Sequence, residues 1–238
     1  MDYDSLLELV KKRRTCRKFK TDSIPDEYVD KIIEAARWAP SGANSQPWEF
    51  IIVKKKELKE SIVKLFEEWN VLAHRMELTR EPELRFHILT ELPKQPPGFA
   101  VAPVFIILCG DPRTRNAYPL RDGLLRGQSI FTSSLASAFL YMHLVATTLG
   151  LGTQWVTAMS CPFEQSLMKE LVGIPRELEI YDMLAVGYPA SEPKPRLVRA
   201  KEEMVHYDYY DRTKFRTDEQ IKNSIITLRP GLTSFTGI

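Results

Sequence analysis

Apolar residues recur along the chain with two spacings, one typical of helices and one typical of buried strands. Helical spacing predicts helices over residues 5–12, 23–38, 57–69, 129–149 and 164–171. Short, continuous apolar runs predict strands over residues 49–53, 102–108, 153–157 and 183–186. Because helices and strands are mixed without strict alternation, the pattern favours an α+β fold over a doubly wound parallel sheet.

Two stretches lack a clear apolar pattern. Residues 71–99 combine charges, prolines and scattered apolar side chains, which predicts an irregular helical insertion that forms a lid over the core. The tail from Pro193 is polar with isolated aromatic residues, and we expect it to wrap around a partner subunit. We therefore predict one domain over residues 1–238, with a lid at about 70–100 and a C-terminal extension at about 200–238.

Composition and charge are those of an ordinary globular chain. The 238 residues are 44% hydrophobic and 27% charged, with a net charge of +2, which gives no reason to expect nucleic acid or an acidic membrane as partner. Cys16, Cys109 and Cys161 form no CxxC pair, so no metal site is expected. The sequence has no uninterrupted apolar run of membrane-spanning length and no signal peptide, and we expect a cytoplasmic location.

A basic run at residues 11–20 is the first segment that indicates chemistry. Seven of its ten residues are Lys or Arg, and Arg13, Thr15 and Arg17 alternate within it. In an extended chain these three side chains would face the same way, and two guanidinium groups with a hydroxyl suit a phosphate. The alternatives are a solvated charge run or a nucleic-acid patch.

Two further segments carry suitable polar groups. Lys194 and Arg196 flank Pro195, so a second pair of cations could close on the same phosphate. The loop at 39–48 carries Ser41, Asn44 and Gln46, whose donors and acceptors could read the edge of a heteroaromatic ring. The alternative for this loop is a turn whose amides satisfy its own backbone.

These segments together resemble the nitroreductase superfamily of FMN proteins. The matching motifs are RRTCRKF, PSGANSQPWEF, LGLGTQWVT and PKPR, in that order, over residues of about 6 to 206. The resemblance implies a central, mainly antiparallel sheet flanked by helices, in an intertwined homodimer with two FMN molecules at the interface. No metal is implied.

The resemblance also implies roles for individual residues. The positions that match phosphate binders are Arg13, Arg14, Thr15, Lys194 and Arg196. Arg17 matches a cation beside the flavin pyrimidine, and Thr157 matches the position near flavin N5; these two are the candidate catalytic residues. The remaining expected flavin contacts are Pro40, Ser41, Gly42, Asn44, Gln46 and Val156, of which Ser41, Asn44 and Gln46 would come from the other subunit.

The implied activity is ping-pong hydride transfer from NADH or NADPH to a small organic acceptor of the nitroaromatic, quinone or enone type. A reductive dehalogenase of the iodotyrosine deiodinase type is the alternative within the family. Glu81, Arg85 and Lys94 are charged residues of the lid, but they lack the tyrosine expected of a deiodinase between them. Alternatives of other classes are a nucleic-acid binder and a flavoprotein without turnover.

Overall fold

A four-stranded sheet with all neighbours antiparallel, in the order β1-β2-β4-β3, lies at the centre of the protein. The computed structural model describes residues 2–85, 95–192 and 198–228. The strands are β1 (Trp48–Val53), β2 (Val104–Gly110), β3 (Gly152–Val156) and β4 (Glu179–Gly187). The antiparallel sheet and its helices confirm the α+β class.

The described residues form six α-helices: α1 (Tyr3–Lys12), α2 (Asp26–Arg37), α3 (Lys56–Glu77), α4 (Leu120–Thr148), α5 (Pro162–Val172) and α6 (Asp218–Leu228). Their ends follow local chemistry. The Asp2 carboxylate accepts a hydrogen bond from the Ser5 backbone N–H and caps α1. Gly173 ends α5 in the left-handed conformation, with φ of 73°, which glycine adopts without steric cost.

The sheet is covered on both faces. All seven residues of β2 are buried, as expected for a central strand between two layers. On one face, Ile106, Leu108 and Leu184 pack in a cluster with residues of α2 and α4, including Ile32 and Phe139. On the other face, a second cluster joins the sheet to α3 and α5, and it includes Phe105, Ile107, Met183, Ile62 and Met168. The core is thus divided by the sheet into two halves.

Several elements are longer than predicted. Helix α4 begins at Leu120, directly after Pro119 and nine residues before the predicted start. The start was missed because the first turns of the helix bury few apolar side chains and so show no helical apolar spacing. Strand β4 begins at Glu179 and not at 183, since its first residues alternate in burial. Helix α3 continues to Glu77, into the stretch predicted to be irregular. In the tail, helix α6 was not predicted at all.

The chain divides into two compact units. The first comprises residues 1–69 and 96–193 and holds the sheet. The second comprises residues 70–95 and 194–238, which overlap the predicted lid and extension. Within this second unit, the Lys222 ammonium pairs with the Glu83 carboxylate at 2.6 Å and with that of Glu81 at 3.5 Å. The single-domain organisation stays a prediction.

Helix α4 is long and apolar enough to cross a membrane by length and composition alone, contrary to the expectation drawn from uninterrupted runs. Half of its most apolar window is buried inside the protein. Core helices of water-soluble proteins meet the same criterion, so length and hydropathy do not decide the role of α4. Its packing against the sheet accounts for the apolar residues of its buried face.

Candidate functional site

The basic segment lies against the edge strand β3 at Thr153 and against the residues that follow β4. Thr15 forms a parallel bridge with Thr153, and the Cys16 backbone N–H donates to the Thr153 carbonyl at 2.8 Å. Further along, the Lys20 N–H donates to the Tyr188 carbonyl at 2.8 Å. Cys16 and Phe19 are buried in the core. The segment is therefore docked on the sheet by both its backbone and its apolar side chains.

Exposure separates the basic residues into two sets. Arg13, Arg14, Thr15 and Arg17 are half-buried, whereas the other cations of the run are exposed, namely Lys11, Lys12, Lys18 and Lys20. The half-buried set is the one predicted to bind phosphate and the flavin ring. Guanidinium groups present paired donors to phosphate oxygens, and a hydroxyl adds another donor. The donor set thus fits a phosphate monoester such as that of FMN.

Two glycines, Gly98 and Gly152, allow neighbouring backbone to lie in close contact with this segment. A Cβ on Gly98 would lie 1.8 Å from the Arg17 carbonyl oxygen. A Cβ on Gly152 would lie 2.7 Å from the Cys16 Cβ. Both distances are below any real contact, so a side chain at either position would displace the segment.

Burial lowers the pKa of the Arg17 guanidinium from its usual value, but arginine stays charged in proteins.

His143 lies directly behind the segment. Its Nδ1 is 2.7 Å from the Thr153 Oγ1, and both side chains are buried. Loss of solvation, and secondarily the charge of Arg13, lower the pKa of His143 to about 4, so the imidazole is neutral at pH 7. Among the described residues its Nε2 has no hydrogen-bond partner. His143 is thus a packed core residue of α4.

The loop predicted to contact the flavin ring has a strained backbone. Ala43, Asn44 and Gln46 have positive φ values of 51°, 51° and 43°. Non-glycine residues in this conformation cost free energy and cluster at functional sites. The Gln46 N–H donates to the Ser41 Oγ at 3.0 Å, and the Gln46 amide donates to the Asn44 Oδ1 at 3.2 Å. The side chains of Ser41 and Asn44 accept hydrogen bonds within the loop, as in the turn alternative, and recognition of a ring by this loop stays a prediction.

Helix α4 contacts this loop at one point and Thr153, which carries the basic segment, at another. The Gly42 N–H donates to the Ser134 Oγ at 3.1 Å, and a cleft of about 390 Å³ lies between the loop, including Pro40, and the α4 serines. His143, the partner of Thr153, lies nine residues after Ser134 on α4. That separation corresponds to roughly 13 Å of helix.

The remaining predicted residues lie at the end of β3 or outside the described residues. Val156 is buried and pairs with Met183. Thr157 is exposed just after the strand, and its carbonyl accepts a hydrogen bond from the Ser160 Oγ at 2.9 Å. Lys194 and Arg196 belong to residues 193–197, which lie outside the described part of the chain. Their predicted contribution to the phosphate site stays a prediction.

The sequence analysis missed two buried carboxyls, Glu164 and Asp182, of which Asp182 lies in the sheet. Asp182 is 6% exposed, and its Oδ2 accepts a hydrogen bond from the Trp155 indole N–H at 2.5 Å. Its Oδ1 has no partner among the described residues. Burial raises the pKa of Asp182 to about 6, against the opposing effect of hydrogen bonds from Trp155 and Ser160. The sequence offered one indication of this buried carboxyl, namely an aspartate directly before the predicted strand at 183–186.

Comparison with known proteins agrees with this architecture. The family model described as the nitroreductase family matches residues 10–188. Iodotyrosine deiodinase of Thermotoga neapolitana is 30% identical over 213 residues, which cover 86% of this chain and 98% of the relative. An Archaeoglobus fulgidus protein, provisionally named NADH dehydrogenase/NAD(P)H nitroreductase, is 25% identical over 79% of this chain and 88% of its own.

A solved structure shows the same fold. The crystal structure of oxidized iodotyrosine deiodinase bound to FMN and 3-iodo-L-tyrosine superposes with a TM-score of 0.67 at 27% identity. The superposition covers 86% of this chain and 100% of the deiodinase chain. The nitroreductase-like α+β fold inferred from the sequence motifs is thereby confirmed.

Replacement of Asp182 by asparagine should change how stability depends on pH. The folded-state pKa of about 6 lies above the usual 3.8, so the native protein retains this proton more tightly than the unfolded chain does. Above pH 6 the native carboxylate is buried and charged, which costs stability. From pH 4 to 7, the stability of D182N relative to wild type should rise by roughly 2–3 kcal/mol.

Urea unfolding at several pH values measures this effect. Asp30→Asn, the same chemical change at an exposed position of α2, is the matched control. A difference between D182N and wild type that stays constant across the range would contradict the assignment of a raised pKa to Asp182.

Proposed function

The chain belongs to the nitroreductase family, and from that premise we propose that it is an FMN-dependent NAD(P)H oxidoreductase. Its acceptor would be a small organic molecule of the nitroaromatic, quinone or enone type, reduced in a ping-pong sequence. The observation that carries the proposal is the half-buried set Arg13, Arg14, Thr15 and Arg17, docked on the edge of β3.

Each residue of the site then has a defined task. Arg13, Arg14 and Thr15 would hold the FMN phosphate, and Lys194 and Arg196 would complete its shell. Arg17 would place a positive charge beside the ring, where it favours the reduced, negatively charged form. Val156 and Thr157 would lie against the ring near N5. When bound, FMN supplies the capacity to accept and return a hydride.

An exposed apolar surface on α4 supports a homodimer. The first turns of α4 expose three leucines, Leu120, Leu124 and Leu125, at 80%, 77% and 77% of their surface. Clustered apolar side chains of this size on a surface are typical of protein interfaces. In the proposed dimer, Ser41, Asn44 and Gln46 of one subunit would reach the flavin whose phosphate is held by the partner subunit, together with Pro40 and Gly42.

Reductive dehalogenation is the second candidate, favoured by the 30% identity to the Thermotoga neapolitana deiodinase. The lid residues do not support it further. Glu81 pairs with Lys222, and the Arg85 guanidinium donates to the carbonyl oxygens of Leu78 and Arg80 at 2.9 Å each. Lys94 lies outside the described residues. Oxidoreductase activity on a nitroaromatic, quinone or enone acceptor is therefore the first proposal.

The purified protein should be yellow, and NADH or NADPH added anaerobically should bleach its flavin band. Nitroaromatic, quinone or enone acceptors should then restore the band. The measurement is a visible spectrum before and after each addition. Recovery with 3-iodotyrosine and release of iodide would favour the dehalogenase, and flavin that no nicotinamide bleaches would favour a flavoprotein without turnover.

A colourless protein that takes up no added FMN would overturn the proposal. Strong, salt-sensitive binding of DNA by such a protein would instead support the nucleic-acid alternative for residues 11–20.

Arg13→Ala should weaken FMN binding by about 10- to 100-fold, because one charge-assisted hydrogen bond to phosphate is lost. Lys11→Ala is the matched control, since Lys11 is exposed in the last turn of α1. Fluorescence titration of each apoprotein with FMN gives the dissociation constants. Equal affinities in the two variants would remove Arg13 from the phosphate site.

Leu124→Glu should dissociate the dimer, because a charge would be placed within the proposed apolar interface. The mass in solution, measured by light scattering, should fall to that of a monomer, and FMN retention should fall with it. Val101→Glu, at another exposed apolar residue, is the control and should remain a dimer. A Leu124→Glu dimer with full FMN content would contradict the proposed interface.

A further inference from the structure

His143 belongs to a continuous set of contacts that ends at the phosphate-binding segment. It projects from α4 to the Thr153 hydroxyl at 2.7 Å. The carbonyl oxygen of Thr153 accepts a hydrogen bond from the Cys16 N–H at 2.8 Å, and Thr153 forms a parallel β-bridge with Thr15. Thr153 therefore connects two elements: its side chain contacts α4, and its backbone contacts the basic segment.

The chemistry of the pair explains why a polar residue occupies this core position. Thr153 is 1% exposed, so its hydroxyl has no access to water and needs a partner inside the protein. The neutral imidazole supplies one without adding a charge. A cation here would be buried and would face Arg13, the charged group that acts on His143. His143 therefore acts as a hydrogen-bonding support, separate from the charges that would contact phosphate.

Rotation or displacement of Thr153 would be transmitted to its neighbours. Gly152, the preceding residue, already approaches Cys16 so closely that no Cβ fits between them. The segment has little freedom to adjust independently, because Cys16 and Phe19 are buried. A displacement of Thr153 would therefore also displace Thr15 and Cys16, which contact it through their backbones.

We propose that His143 is a positioning residue for the phosphate end of the bound flavin, acting through Thr153 on Arg13 and Thr15. The inference rests on the proposed function, since it assumes FMN as ligand. It predicts that changes at His143 affect one flavin more than another. Riboflavin has the same ring as FMN but no phosphate, so changes at His143 should alter the binding of FMN far more than that of riboflavin.

The test compares affinities for FMN and riboflavin, measured by quenching of flavin fluorescence. His143→Leu removes the partner of the Thr153 hydroxyl and should weaken FMN binding by about tenfold, with riboflavin affinity changed less than about twofold. His143→Asn retains a hydrogen-bonding group near the Nδ1 position and should restore most of the FMN affinity. Thr153→Val should match His143→Leu, and the double variant should lose little more than either alone.

Met142→Leu is the control for repacking, because Met142 is the buried neighbour of His143 on α4 and lies outside the hydrogen-bonded set. It should leave the ratio of FMN to riboflavin affinity unchanged. Retained riboflavin binding in each variant also shows that the fold is intact.

Two outcomes would overturn the inference. One is a His143→Leu protein that loses both flavins equally, or neither, while the wild type binds FMN. The other is a His143→Asn protein as impaired as His143→Leu. A wild-type protein that binds neither flavin would overturn the proposed function itself, and this inference with it.

Discussion

The docking of residues 15–20 on Thr153 of β3 and on the residues after β4 is the constraint on which the rest of the site depends. An edge strand leaves backbone donors and acceptors that need partners, and here the Cys16 N–H satisfies the carbonyl of Thr153. The burial of Cys16 and Phe19 holds the segment in place. Because the backbone is fixed on one side, the half-buried arginines occupy defined positions and not an ensemble of solvated ones.

The features of the sequence that predicted the fold were those with a local cause. Buried runs such as 102–108 predicted strands, because a strand covered on both faces must be apolar along its length. The α+β class followed from their arrangement, and the motifs around Arg13 and Ser41 led to the correct family. The alternation of Arg13, Thr15 and Arg17 also separated half-buried from exposed cations, although Arg14, which alternation alone would have excluded, is half-buried too.

What could not be predicted depends on contacts distant in sequence. Residues 120–128 are helical although their leucines are exposed, so periodicity of burial was absent as a signal. The start of β4 was missed because Asp182 interrupts the apolar run, and its partner, Trp155, lies 27 residues away. The hydrogen bond from Gly42 to Ser134 spans 92 residues. Only the fold shows that one helix, α4, bonds both the strained loop and Thr153, the residue against which the basic segment lies.

Two buried titratable groups, His143 and Asp182, have effects on stability that oppose each other. His143 has a folded pKa of about 4, below its usual 6.5, so it stabilises the protein fully above pH 6.5 and progressively less as pH falls towards 4. Asp182, with a pKa raised to about 6 from 3.8, acts in the opposite direction over nearly the same range.

Between pH 4 and 6 the unfolded chain binds about one proton more than the native protein at His143 and about one fewer at Asp182. The two slopes therefore nearly cancel in the wild-type protein. Removal of either group exposes the slope of the other. The loss of stability that the neutral histidine causes in mild acid is thus opposed by the buried carboxyl of Asp182.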